Sequence, residues 1–236
     1  MLLGKSFFNN YLDEDRELNI LDVGSMNLNG TLRDVASPNW IYTGTDIEEG
    51  DGVDTILDDP HSFPFENETF DAIVSTSCFE HDDMFWVTFR EMLRVLKSGG
   101  YIYINTPSNG NYHAHPVDNW RFYPDAGLAL ESWGRHNEAH LTLCESFVAN
   151  EMQDIWNDYV MVFWKGEGTP PKITDMSAVT GGAANIRRYG NDDMINPEPV
   201  PRDMQRCEYF YGLYTDMYQK AKQLHDELEE LKKNNS

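Results

Sequence analysis

Residues 20–30 read I-L-D-V-G-S-M-N-L-N-G. The apolar run Ile20, Leu21, Val23 stops at Gly24 and gives way to a polar turn that holds a second glycine, Gly30. That is the pattern of a buried parallel strand, and in open α/β sheets ligands bind beyond the carboxyl ends of such strands. Taken alone, the stretch supports two readings: a nucleotide-type cofactor loop, or a strand closing in a tight turn.

The sequence on either side extends the strand pattern. Residues 5–13 place Phe7, Phe8, Tyr11 and Leu12 at helical spacing, which predicts a short helix over an edge of the sheet. Thr31–Ala36 predicts a brief helix, and W-I-Y-T-G-T-D (residues 40–46) a second strand ending in Asp46. Asp46 lies 22 residues after Gly24, where a carboxylate can accept from both hydroxyls of a ribose. A third strand is predicted over Val53–Leu57, closed by Asp58, Asp59 and Pro60, with Phe63 and Phe65 following. An acid beside apolar rings can take an exocyclic amine while a ring packs on a base.

F-D-A-I-V-S-T-S (residues 70–77) reads as a fourth strand. Met84–Leu96 reads as an amphipathic helix with Asp82 or Asp83 at its positive end and Lys97-Ser98-Gly99-Gly100 as its stop. Tyr101–Asn105 is the fifth strand, Asp125–Trp133 a helix, and His140–Val148 and Tyr159–Trp164 two further strands. Strand and helix alternating in this way predict a doubly wound, mostly parallel α/β sheet. Residues 1–165 are therefore expected to form one domain. Residues 166–202, rich in Gly and Pro, are expected to be a loop or linker. Residues 203–236 are expected to be an amphipathic helix, with Phe210, Tyr214, Met217, Ala221, Leu224, Leu228 and Leu231 at alternating spacings of four and three. That helix is either a seam to a second copy or partner, or a helix docked on its own domain.

With 236 residues and 40% hydrophobic content the chain can bury a full core. Its 40 acidic against 18 basic residues give a formal charge of −22, which argues against nucleic acid or an anionic membrane as partner. The N-terminal residues lack a signal-peptide core and no later stretch suits a bilayer. Cys78, Cys144 and Cys207 show no disulfide or metal spacing. A cytoplasmic protein is expected.

Six stretches in order, L-D-V-G-S, T-D-I, D-D-P-x-x-F-P-F, F-D-A-I-V, F-E-H and R-V-L-K-S-G-G-Y, resemble the class I S-adenosylmethionine-dependent methyltransferases of the small-molecule type 11 kind. The resemblance covers residues 18 to 165. It implies a Rossmann-like sheet of seven strands with the last antiparallel, and S-adenosyl-L-methionine as cofactor. By the same resemblance Asp22, Gly24 and Ser25 would line the methionine end, Asp46 and Ile47 the ribose side, Asp59 or Asp58 the adenine amine, and Ser77 and Cys78 the backbone contacts. The pattern departs at Met26, which stands where the family has a second glycine and implies a reshaped turn leaning on Gly30. The same change counts more heavily against a dinucleotide loop, whose glycines must meet a pyrophosphate.

Residues 105–126, N-T-P-S-N-G-N-Y-H-A-H-P-V-D-N-W-R-F-Y-P-D-A, follow the fifth strand, on the rim where an acceptor would meet a methyl group. His113 or His115, oriented by Asp118, is the expected general base for an alcohol acceptor. Tyr112, Trp120, Arg121 and Tyr123 are the expected acceptor contacts. A divalent metal on H-x-H with Asp118 is the less favoured option, and His81 is a weaker candidate that could simply cap or pack. The run resembles methyltransferases of glycan assembly, including modules of large algal-virus glycosyltransferase proteins. That resemblance implies a sugar hydroxyl, such as one on a deoxyhexose like rhamnose. The C-terminal heptad helix fits a homodimer or a fused or partner glycosyltransferase held through it. The alternatives are a quinone, phenol or amine acceptor, or a non-catalytic assembly module.

Overall fold

A computed structural model describes residues 1–137, 139–150 and 156–234. Among them a nine-stranded sheet runs in the order β3-β2-β1-β4-β5-β7-β6-β8-β9. The strands are β1 (Asn19–Val23), β2 (Ile41–Asp46), β3 (Thr55–Ile56), β4 (Phe70–Thr76), β5 (Leu96–Pro107), β6 (Leu141–Ala149), β7 (Asp158–Lys165), β8 (Ala183–Arg188) and β9 (Asn191–Ile195). The strands β3, β2, β1, β4 and β5 pair in parallel, and every pairing from β5·β7 outward is antiparallel.

Leu21, Ile73, Ile102 and Phe163 bury on one face of the sheet, and Ile20, Ala72, Val74 and Tyr103 on the other. Both faces are covered, so the central strands carry nearly continuous apolar runs. The first face packs against α2 (Phe85–Val95) and α3 (Ala126–His136), through residues such as Phe89, Met92 and Leu130. The second is closed by α1 (Leu2–Tyr11). Phe7 of α1 stacks on Tyr103 with centroids 5.1 Å apart, and Tyr11 meets Tyr101 at 5.2 Å. The predicted first helix therefore covers β5 in mid-sheet rather than an edge.

The brief helix expected over Thr31–Ala36 is a 3-10 helix, Leu32–Val35, whose entry Thr31 caps by accepting from Arg33 N. Two other expectations are corrected. Lys97-Ser98-Gly99-Gly100 is not a helix stop: α2 ends at Val95 and the chain enters β5 directly. Phe70 pairs with Leu96 but Ala72 pairs with Tyr101, so the extra residues bulge, with Gly99 at φ +89°. Beside the bulge, Lys97 Nζ lies 2.8 Å from Asp71 Oδ2 on the neighbouring strand.

Residues 166–202, expected to be a loop or linker, instead contribute a 3-10 turn (Met176–Thr180) and the strands β8 and β9. Seven strands become nine because the outer edge of β6 is open to antiparallel pairing. The sheet is held there by buried Glu145, which accepts from Met176 N at 2.9 Å and from Arg188 at 2.8 Å. The chain divides into two compact units, Met1–Pro197 and Glu198–Ser236. The second carries α4 (Arg202–Asn234), in which no residue is buried. Among the described residues no helix is long and apolar enough to cross a membrane.

Candidate active site

The carboxyl end of β1 runs into Gly24, whose φ of +77° favours glycine. A side chain there would also strike Cys78, since a Cβ would sit 2.6 Å from that residue's Cβ. The loops after β1 and β4 are thus in direct contact. Gly24 N and Ser25 N both donate to Thr45 O, and Met26 N donates to Asp46 Oδ2 at 3.1 Å. The turn departs from a two-glycine loop as its sequence suggested. The Met26 side chain lies against Gly50, where a Cβ would approach it to 2.9 Å, and Gly30 (φ +112°) donates to Asn27 Oδ1.

Asp22 is buried and its Oδ2 accepts from the Tyr42 hydroxyl at 2.7 Å. Its Oδ1 is buried with no hydrogen-bond partner. Burial raises this carboxyl to about 6 against the pull of Tyr42 and Arg33. A buried acceptor left open beside a glycine turn suits a cationic or N–H group of a ligand.

Across the sheet, the loop after β4 carries Ser77 (φ +50°), whose N–H donates to Asn105 O, then Cys78, Phe79, Glu80 and His81. Burial, and then the carboxylates of Glu80, Asp82 and Asp46, push the Cys78 thiol well above its ordinary range. Glu80 is 1% exposed and accepts from Thr106 Oγ1 at 3.0 Å. Burial lifts its carboxyl to about 7, opposed by that hydrogen bond and by His113 and Arg121. The Glu80 backbone carbonyl accepts from Asn119 N and Trp120 N, which fastens the loop after β5 to the loop after β4.

His81 and His113 meet edge to face, with ring centroids 5.0 Å apart. His81 Nδ1 contacts Val117 O, and a carbonyl only accepts, so Nδ1 donates there. Nε2 lies 3.7 Å from Glu80 Oε1. His113 Nδ1 lies 3.3 Å from both Asp118 Oδ2 and Arg121 NH2. That guanidinium nitrogen has two hydrogens, already directed to Asn111 O at 2.7 Å and Asp118 Oδ2 at 2.8 Å. His113 Nδ1 is therefore the donor toward Asp118 Oδ2. Trp156 closes the cluster, 4.8 Å from the His113 ring and 5.4 Å under the Arg121 guanidinium.

Residues 21–104 match the family model described as "Methyltransferase domain". That stretch resembles a methyltransferase domain. Solved structures share its fold. A 1,6-didemethyltoxoflavin-N1-methyltransferase of Burkholderia thailandensis, bound to S-adenosylhomocysteine, is 14% identical with a TM-score of 0.52, covering 70% of this chain and 79% of its own. The [4+2]-cyclase SpnF is 16% identical with a TM-score of 0.52, covering 71% and 81%. A methyltransferase of Methanosarcina mazei is 15% identical with a TM-score of 0.50, covering 68% and 96%. No curated protein sequence matches the chain. Domain match and fold together support an S-adenosylmethionine-dependent methyltransferase, and the fold has a mostly parallel sheet with antiparallel strands at one end.

The expected cofactor-side residues occupy or follow the ends of β1, β2, β3 and β4. Ile47 is exposed and its N–H donates to Asp46 Oδ1. Asp58 and Asp59 are exposed, and Asp59 Oδ1 accepts from His61 N at 2.8 Å. On the acceptor side, His113, Asp118 and Arg121 come together, while His115 is exposed and outside the cluster. Tyr112 and Tyr123 are 78% and 62% exposed. Trp120 donates to Asp82 O at 2.8 Å and packs on Phe85, so it pins the rim loop to the start of α2. The metal option also changes members. Glu80, His81 and His113 offer ligand atoms all within 4.8 Å of one another, as do His61, Asp82 and Asp83, and neither set contains His115 or Asp118.

Two participants escaped the sequence reading. Glu80 stands inside F-E-H, where an acid after a buried Phe was the available signal. Trp156 follows Gly110 by 46 positions, and nothing local marks it. A Cβ on Gly110 would come within 1.9 Å of the Trp156 ring, so the glycine exists to admit the indole.

Proposed function

We propose that the enzyme transfers the methyl group to a hydroxyl of a saccharide, such as one on a deoxyhexose like rhamnose. The observation that carries the reading is the meeting of His81 and His113 beyond the carboxyl ends of β4 and β5, with ring centroids 5.0 Å apart and Asp118 Oδ2 3.3 Å from His113 Nδ1. An alcohol needs a proton acceptor as it becomes a nucleophile, and a positioned neutral imidazole supplies one. His113 takes this role, with Asp118 orienting the ring and stabilising the imidazolium. The rim of Tyr112, Trp120 and Tyr123, on a protein of net charge −22, suits a neutral polyhydroxylated acceptor better than an anionic one.

When bound, the cofactor supplies an electrophilic methyl on a sulfonium sulfur. Asp22 Oδ1 would hold its amino group, Asp46 its ribose, Asp59 its adenine amine, and the backbone of Gly24, Ser25, Ser77 and Cys78 would line the cleft. Alignment of acceptor oxygen, methyl and sulfur is the larger part of such catalysis.

One arrangement favours a second route to the same product. A divalent cation on Glu80, His81 and His113 would lower the acceptor hydroxyl's pKa directly, as bound metal does for water. Label transfer from methyl-tritiated S-adenosylmethionine to monosaccharides, phenols, quinols and amines tests the proposal. Label in a neutral sugar supports it, and label confined to an amine or phenol overturns it. Repeating the transfer after chelation, then with added magnesium or manganese, separates the two routes.

A further inference from the structure

The second unit carries a helix with an unusual surface. Along α4, Cys207, Phe210, Tyr214, Met217, Ala221, Leu224, Leu228 and Leu231 recur at alternating spacings of three and four, and none is buried. The large side chains in this stripe are exposed by between 50% at Leu228 and 72% at Met217. A stripe this narrow and long is the seam of a coiled coil, with Cys207, Tyr214, Ala221 and Leu228 at a and Phe210, Met217, Leu224 and Leu231 at d. Gly212, the residue least suited to packing, falls at the outer f position.

The flanking positions select the partner and the direction. In a parallel, in-register pair each g residue meets the e residue five places on in the other copy. Glu227 then faces Lys232 of the second helix, twice by symmetry, Leu213 faces Tyr218, and Lys220 faces His225. One pair joins opposite charges and one joins apolar side chains, while Lys220 and His225 contribute no attraction. Leucine at d is also the choice of parallel two-stranded coils.

We infer that α4 pairs with the α4 of a second copy as a parallel, in-register coiled coil, making the protein a homodimer in which the two Cys207 side chains face each other. The thiol is exposed in the single chain and stands at an a position, where Cα atoms of a parallel pair come within disulfide reach. The inference is independent of the acceptor and of the cofactor.

The test uses the full chain. Light scattering at micromolar concentration should give twice the 27.2 kDa of one chain, and Leu224→Glu with Leu228→Glu should halve that mass while α1 to β9 stay folded by near-ultraviolet circular dichroism. Diamide should then link the native dimer through Cys207, each disulfide releasing two protons and two electrons to the diamide, and Cys207→Ser should abolish the link. A mass of one chain, the result a docked helix would give, overturns the inference, as does a mass of three or four. A dimer that diamide fails to link overturns the parallel register and points to an antiparallel pair.

Discussion

Asp118 and Arg121 are joined by two parallel contacts, NH1 to Oδ1 at 2.5 Å and NH2 to Oδ2 at 2.8 Å, and the same Oδ2 accepts the His113 backbone N–H at 2.7 Å. One carboxylate thus fixes both the backbone and the ring of His113. The Arg121 guanidinium beside it holds the Asp118 carboxyl far below the usual carboxylate range, so it stays charged at any working pH.

Replacing that carboxylate by an amide removes the orienting charge and leaves the volume. Asp118→Asn should lower kcat by roughly a hundredfold, the scale of a general base losing its orientation, with S-adenosylhomocysteine affinity unchanged. Steady-state kinetics beside calorimetry would check this. Undiminished kcat would remove His113 from the chemistry.

Glu80 makes stability fall with pH. Its carboxyl moves from 4.5 in the unfolded chain to about 7 in the folded one. Between those values the folded protein keeps a proton that the unfolded chain has released, so the contribution is complete below pH 4.5 and is lost as pH rises toward 7. The difference is on the order of 3 kcal/mol. Asp22, raised from 3.8 to about 6, adds a loss of the same sign at lower pH. Denaturant melts from pH 4.5 to 7.5 should show a flatter profile for Glu80→Gln than for the native protein.

Asp46 ties the end of β2 to the reshaped turn through Met26 N. Asp46→Asn should weaken S-adenosylhomocysteine by about 10- to 100-fold, the worth of a charge-assisted hydrogen bond. Titration calorimetry reads it, and unchanged affinity would remove the ribose assignment.

Gly24→Ala should destabilise the fold by about 1–3 kcal/mol and abolish cofactor binding. Two effects combine, a φ of +77° and a Cβ only 2.6 Å from Cys78 Cβ. Adding Cys78→Gly should recover the steric share alone, which urea melts of the two variants would separate.

The sequence by itself determined the parallel half of the sheet, because apolar runs such as Leu21–Val23 and Ala72–Val74 are local and their partners are other runs of the same kind. It also determined the glycine turn at the end of β1, the acid at the end of β2 and the heptad helix, each a pattern a few residues long. It misread Gly99 and Gly100, since a glycine pair serves a helix stop and a strand bulge equally, and only the pairing of Phe70 with Leu96 and Ala72 with Tyr101 distinguishes them. It missed β8 and β9, whose place depends on an open edge of β6 and on the burial of Glu145 beneath Arg188. Tertiary structure alone brought Glu80, His81, His113 and Trp156 together, from the ends of three different strands, and placed Val117 against His81 Nδ1 and Asn111 and Asp118 against His113 Nδ1. Periodicity reports which side of an element is buried, whereas a site is made by distances between elements, and those are fixed only once the sheet has closed its register.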